Sequence, residues 1–268
     1  MRRVLFGIVG VIAIGLGLWQ LGRGIGELTG SSDGNAKVEA ASTAARKAAT
    51  DFAALADASQ TSGLPPRQSD PTVKALLDTV FDTGVLHRET LTFDDLGAVN
   101  EWLGAVPKIM TVYTLAGTGL TDIQQAANTP GIEPRLDQNL VQFAPEYGRC
   151  LDAQLTLMQA ESELIAAKLG TDPAKITDEQ QKQGLVKFRG GLNMALGGTL
   201  SVLALPGLSD AWRRDRLVAL EAMAPKAAPL LDAADAAALH KLALDLAQSL
   251  TDPDVQAGLK RFAAAFPS

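Results

Sequence analysis

The densest cluster of charged side chains lies between Trp212 and Arg216, in the run Trp-Arg-Arg-Asp-Arg. Guanidinium groups bind carboxylates and phosphates through paired hydrogen bonds, so Arg213, Arg214 and Arg216 can hold an anion or an acidic partner. The simpler interpretation is an exposed helix face, on which Arg–Asp pairs contribute little to stability. The sequence favours the exposed face and leaves an anion or partner contact as the alternative.

The chain has one cysteine, Cys150, and two histidines, His87 and His240. A thiol and an imidazole in contact can act as nucleophile and base. Cys150, however, begins an apolar helical stripe, which favours a buried and unreactive thiol. The histidines are expected at a helix end and on a solvated helix face. One cysteine also leaves no internal disulfide within these residues.

The sequence lacks the motifs of several enzyme classes. It contains no His-Glu-x-x-His, no Glu-x-x-His, no Gly-x-x-x-x-Gly-Lys-Ser/Thr and no Gly-x-Ser-x-Gly. Those spacings place zinc ligands, di-iron ligands, a phosphate loop and a nucleophilic serine, respectively. We therefore predict no catalytic residue, metal or cofactor, and an enzyme with an unrecognised site is only the third hypothesis.

Composition and net charge further reduce the number of functions that the sequence allows. The chain has 268 residues, a net charge of −6 and 47% hydrophobic residues, which is typical of a folded protein. Without residues 1–30, which hold three basic residues and one acidic residue, 21 basic and 29 acidic side chains remain, a net charge of −8. Such a surface repels phosphate backbones, so we expect no nucleic-acid partner.

The N-terminus predicts a membrane segment. Residues 4–19 have no polar side chain, and Arg2 and Arg3 precede them. With residues 20–22, a helix of about 19 residues spans roughly 28 Å, close to the ~30 Å hydrocarbon core of a bilayer. The positive-inside rule puts the N-terminus in the cytoplasm and the remainder outside. We therefore expect a single-pass protein of the inner membrane.

A cleaved signal peptide is the competing interpretation of the same residues. Its apolar region is usually about 7–15 residues long and ends at a small-x-small cleavage site. Here the apolar run is longer and no Ala-x-Ala follows it. An uncleaved anchor is therefore favoured, and a soluble periplasmic protein after cleavage remains the alternative.

One face of the apolar segment carries small residues. Its members recur at spacings of three and four: Gly10, Ala13, Gly17, Gln20 and Gly24. Small side chains let two helices approach closely, and a glutamine can hydrogen-bond across the interface. The face is a candidate for helix–helix association, although glycine is common in membrane helices in any case.

The remainder predicts an all-α bundle of roughly seven to nine helices behind a transmembrane helix. Apolar residues recur with helical period, as in the stripe 73, 76, 77, 80 and 81, and no strand-like alternation is evident. Helix starts are expected at Asp70-Pro71, Thr171 to Pro173 and Asp252-Pro253, and capping boxes at 92–95 and 177–180. We divide the chain into an anchor (1–30), a linker with an Ala-rich membrane-proximal helix (31–70) and an extracytoplasmic helical domain (71–268).

Residues 190–209 carry no charge and include five glycines. Their length permits a second membrane span, but Asn193 and Pro206 dilute and shorten the apolar helix. Gly191, Ala195 and Gly198 share one face. A central helix buried by its neighbours is favoured over a second span or a re-entrant hairpin.

These observations favour a non-enzymatic envelope protein that acts as an accessory or scaffolding subunit, with a protein partner or a second copy of itself. The alternative is a helical module that senses or carries an apolar ligand, with the glycines of residues 190–198 as one wall of its site. A cavity beside those glycines favours the carrier, and a filled interior favours the scaffold.

Overall fold

The computed structural model describes residues 10, 13–14, 17, 20, 23–25, 35–58, 64–87 and 89–266. Every regular element within these residues is helical, which confirms the predicted all-α class. This part of the chain has eleven α-helices: α1 (Ala36–Ala58), α2 (Pro71–Phe81), α3 (Leu96–Leu103), α4 (Val106–Thr114), α5 (Ile123–Ala127), α6 (Glu133–Gln142), α7 (Ala144–Leu169), α8 (Glu179–Leu203), α9 (Asp210–Ala227), α10 (Ala233–Ser249) and α11 (Pro253–Ala264). Two 3-10 turns, Phe93–Asp95 and Pro173–Lys175, precede α3 and α8.

The helix count of the described residues exceeds the seven to nine predicted. Short breaks separate neighbouring helices, one at Gly104 and Ala105, before α4, and one at Phe143, before α7. Pro107 and Pro145 would end or kink a helix if they lay in its interior. They lie instead in the first turns of α4 and α7, where the missing N–H has no intrahelical partner in any case.

Acidic side chains begin several helices, as the sequence predicts. Asp70 and Asp252 each accept hydrogen bonds from backbone N–H groups in the first turn of α2 and α11. The capping box predicted at residues 177–180 is wrong by one residue, because it begins the helix one residue too early. Asp178 caps α8 and accepts a hydrogen bond from the backbone N–H of Gln181 at 2.9 Å.

Helix α7 lies at the centre of the N-terminal half and packs against α2, α3, α4, α6 and α9. Helix α1 packs against α2, α3 and α4 on the other side of the same core. A row of aromatic rings joins these layers. The ring centroid of Tyr113 lies 5.6 Å from that of Phe52 in α1 and 5.4 Å from that of Phe143, just before α7. The Ala-rich helix that the sequence placed in the linker region is thus part of the core.

The C-terminal half is a group of three helices, α9 to α11, with α8 beside α10 and α9. It joins α7 where Trp212 of α9 donates a hydrogen bond from Nε1 to the carbonyl oxygen of Ala144 at 2.7 Å. Gly148 makes room for this contact, because a Cβ atom there would lie 3.0 Å from the indole nitrogen. The two halves therefore meet along α7 and α9.

Within the described residues, no helix is both long enough and apolar enough to cross a membrane. The predicted anchor, residues 1–30, lies mostly outside the part of the chain that the structure describes. The uncharged segment 190–209 divides into the end of α8 and the connection to α9. Leu192, Leu196 and Leu200 are fully buried, as a central helix requires.

Candidate interaction site

Arg213, the first arginine of the charged cluster, is fixed inside the fold. Its Nε and Nη2 atoms donate to the carbonyl oxygens of Leu203 and Leu205 at 2.8 and 2.7 Å. Nη1 reaches the Asp210 carboxylate at 2.7 Å, and only 8% of the side chain is exposed. Leu203 ends α8, so Arg213 satisfies carbonyls that the helix end leaves without intrahelical donors. Its guanidinium is occupied by the protein's own acceptors.

The other two arginines of the cluster point to different neighbours. Arg214 reaches Asp252 at the start of α11, with an N···O distance of 3.2 Å. Arg216 pairs with Asp152 of α7 at 2.6 Å and stacks over the Trp212 ring at 5.4 Å. The three arginines therefore do not meet at one shared site, although the sequence places Arg213, Arg214 and Arg216 close together. They connect α9 to α8, α11 and α7.

The small-residue face predicted in the N-terminal segment falls within the described residues. All five positions are helical: Gly10, Ala13, Gly17, Gln20 and Gly24. The three glycines are buried, whereas Ala13 and Gln20 are half-buried. Gln20 lies beside α8, because a Cβ atom on Gly190 would be 3.0 Å from its Oε1. The face thus meets another helix of the same chain.

Two matched sets of glycines form this contact. We call them the N-terminal glycine series (Gly10, Gly17, Gly24) and the α8 glycine series (Gly184, Gly191, Gly198). A Cβ atom on any member of the first series would lie 2.7 Å from a carbonyl oxygen of the second, in the pairs Gly10 with Gly198, Gly17 with Gly191, and Gly24 with Gly184. That distance is far inside van der Waals contact, so a side chain at these positions has no room.

The pairing has a fixed direction and period. Seven residues separate neighbours in each series, which is nearly two turns, so each series lies on one helix face. Positions rise along the first series as they fall along the second, so the two segments run antiparallel. Sequence reasoning found the first series and the shared face of Gly191 and Gly198, but did not match them. The signal it missed is the equal seven-residue spacing in both series.

Helix α7 carries a fully buried acid. Glu161 has no exposed surface, and neither carboxylate oxygen has a hydrogen-bond partner in the described residues. Burial raises the pKa of Glu161 well above its ordinary value, because the charged carboxylate loses its hydration there, and this favours the neutral form. Gln154 and Ser162, on the same helix, also have buried side-chain oxygens without partners. Glu163 instead pairs with Lys226 at 2.8 Å.

A second buried acid was not identified from the sequence. Glu146 is 1% exposed and lies 3.3 Å from Nε of Arg67, whose guanidinium stacks on the Phe143 ring at 4.8 Å. Next to it, the Tyr113 hydroxyl donates to the carbonyl oxygen of Pro66 at 2.9 Å. Burial and the Glu146 charge raise the pKa of Tyr113 well above its ordinary value. These contacts bind the 64–70 connection to the core, since each joins it to α4 or α7.

Cys150 is fully buried, and burial raises the pKa of its thiol well above the ordinary value. A thiol in this state is a poor nucleophile. His87 lies exposed after α2. The expected solvated position of His240 is wrong: the residue is half-buried, with Nδ1 3.0 Å from the carbonyl oxygen of Ala263. Among the residues described, no three histidine, cysteine or acidic side chains form a possible metal site.

A pocket lies between the end of α1 and the connection after α4. It encloses about 250 Å³, and apolar residues such as Ala56, Leu64, Pro65, Leu115 and Leu120 line it. The pocket is remote from the α8 glycines, because its lining includes no residue of α8. It does not supply the cavity that the carrier hypothesis requires.

Comparisons with protein-family models, with curated proteins and with solved structures find no match to this chain. The functional argument therefore depends on the geometry of the described residues and on the sequence.

Proposed function

We propose that this protein is a non-enzymatic interaction subunit of a membrane-associated assembly in the bacterial envelope. Its work is to hold a protein partner or a second copy of itself through a rigid helical surface. The observation that carries this proposal is the filled contact between the two glycine series, because it occupies the place where the alternative function needs a cavity.

The chemistry of the described residues supports a scaffold over an enzyme. An acid–base site needs at least two polar groups that converge in a cleft. Here Glu161 is buried without a partner, and the Cys150 thiol is buried and protonated. The arginines of α9 are held by separate intramolecular partners. Among the residues that the structure describes, these groups do not converge on one cleft.

The proposed location is the inner membrane, with the helical domain in the periplasm. It rests on the sequence: a charge-free run at residues 4–22 behind two arginines, which is long enough to reach across a bilayer. A soluble periplasmic protein is the second candidate for location, since a cleaved leader also begins with positive charge and an apolar run.

Fractionation of cells that express the full chain tests the proposal. We expect the protein in carbonate-washed membranes and, after mild detergent extraction, in a species larger than its 28.1 kDa monomer. In the variant Ile12→Lys, a charge in the apolar run costs roughly 3 kcal/mol in a bilayer and should release the protein. Val218→Lys is the matched control, because Val218 is 70% exposed on α9 and tolerates a charge.

Two results would overturn the proposal. A monomer in the soluble fraction contradicts both the location and the assembly. Stoichiometric co-purification of an apolar small molecule contradicts the scaffold and supports the carrier.

A further inference from the structure

We propose that the α8 glycine series is a dedicated docking groove for the N-terminal glycine series of the same chain, so that Gly10, Gly17 and Gly24 stay docked on α8 in the folded protein. This inference does not rest on the proposed function, and it offers a different place for the same residues: a segment docked along α8 in the domain core does not cross a bilayer as a separate anchor.

The first argument is geometric. The three glycine pairs lie in register over two seven-residue repeats, and every pair brings backbone against backbone. Gly198 shows the same closeness from the other side, because a Cβ atom there would collide with the Gly10 carbonyl oxygen and lie 2.7 Å from Cγ1 of Ile14. Only a helix with glycine at the matching positions can enter such a groove.

The second argument is burial. Ile14 and Ile25 are 1% and 0% exposed and belong to the same apolar core as the helices of the domain. Hiding two such side chains from water stabilises the docked segment. Loss of the segment removes these contacts and uncovers the carbonyl face of α8. A tether joined to the domain only through a flexible linker does not account for this burial.

The groove therefore specifies its partner as an antiparallel apolar helix with glycine every seven residues. The chain supplies one such helix itself, which makes the contact intramolecular. A leader that is removed after export leaves the groove empty, so the inference predicts that residues 10–24 are present in the mature protein.

Cross-linking tests the docking in cells. The pair Gln20→Cys with Gly190→Cys, in a Cys150→Ala background, places two thiols where Gln20 Oε1 now faces Gly190. We expect an intramolecular cross-link with a short bismaleimide, about ten-fold or more above the control pair, because docked thiols have a high effective concentration. The control combines Gln20→Cys with Val186→Cys, since Val186 is 55% exposed on the same helix.

The cross-link is scored in whichever cell fraction holds the protein; an intramolecular product supports docking and counts against the single-pass anchor, whereas a membrane-bound protein without the product supports the anchor and counts against docking. An intact-mass measurement that contains residues 10–24, together with the intramolecular product, supports the inference. A mature chain without them, a yield equal to the control, or a covalent dimer would overturn docking in the same chain. A thermal melt of both cysteine variants shows that each one is folded.

Discussion

Helices α7 and α8 have 26 and 25 residues, yet different groups fill their buried faces. On α7 the buried face consists of large side chains, such as Tyr147, Leu155 and Met158, with the polar Gln154 and Glu161 among them. On α8 the face toward the N-terminal segment consists of glycines, and the partner backbone replaces the side chains.

The difference shows two ways to bury a helix. Side chains on α7 stabilise the fold because they bury apolar area. This stabilisation offsets the cost of burying the Glu161 carboxyl group. Glycines on α8 hide little apolar area and depend on a close fit that only one partner satisfies. We therefore expect α7 to respond to changes of charge and pH, and α8 to respond to the addition of a single methyl group.

The largest expected effect is at the end of α8. Arg213→Ala leaves the carbonyl oxygens of Leu203 and Leu205 buried without their donor, which should lower the free energy of unfolding by about 3 kcal/mol. Arg214→Ala removes a half-exposed pair with Asp252 and should cost about 0.5 kcal/mol. Chemical denaturation of both variants measures the difference. Equal losses would mean that Arg213 does not hold the end of α8.

The next largest effect is a pH dependence of the free energy of unfolding, which tests the buried Glu161 of α7. The folded protein keeps a proton on Glu161 that the unfolded chain releases above the ordinary pKa of 4.5. Stability from this group is complete below that value and declines as the pH rises, by up to about 1.4 kcal/mol per unit until the folded-state pKa is reached. In Glu161→Gln this part of the pH dependence should be absent.

Denaturant unfolding of the wild type and Glu161→Gln between pH 4 and pH 8 measures this slope. The comparison uses the difference between the two proteins, because other acids also titrate; burial and the Glu133 charge raise the pKa of Asp137 to about 6. Parallel pH profiles would show that Glu161 is ionised in the folded protein. That result would contradict the expectation that α7, unlike α8, responds to changes of pH.

A smaller difference in stability is expected between alanine substitutions at two adjacent glycines of α8. Gly198→Ala drives a methyl group into the Gly10 backbone and should cost about 2 kcal/mol of stability. At Gly197 the nearest atom to an added Cβ is Cδ2 of Leu239, at an ordinary 3.8 Å. Gly197→Ala should therefore be neutral or stabilise the helix by up to about 1 kcal/mol. Thermal melts of the two variants check the sign, and a neutral Gly198→Ala would count against the glycine contact.

Much of the helical architecture could be predicted from local signals. Asp70 and Asp252 cap helices where the sequence places them, since a cap depends on only a few neighbouring residues. The matched glycines could not be paired from periodicity alone, because the match joins residues about 160–190 positions apart. The burial of Glu161 was also beyond local reasoning: its neighbours in sequence show a helix, but not what surrounds it.

The smallest expected effect is on Cys150, and it tests whether the α7 face is as tightly packed as the contrast with α8 requires. A thiol that is fully buried and protonated meets neither condition for attack on a disulfide reagent, which are access and a thiolate. Native protein should therefore react no faster than it unfolds, and the thiol should react completely in denaturant. Val218→Cys, on the exposed side of α9, is the positive control and should react at once. Rapid reaction of Cys150 in the folded wild type would place this part of α7 in contact with solvent, and large side chains would then no longer explain how the helix is buried.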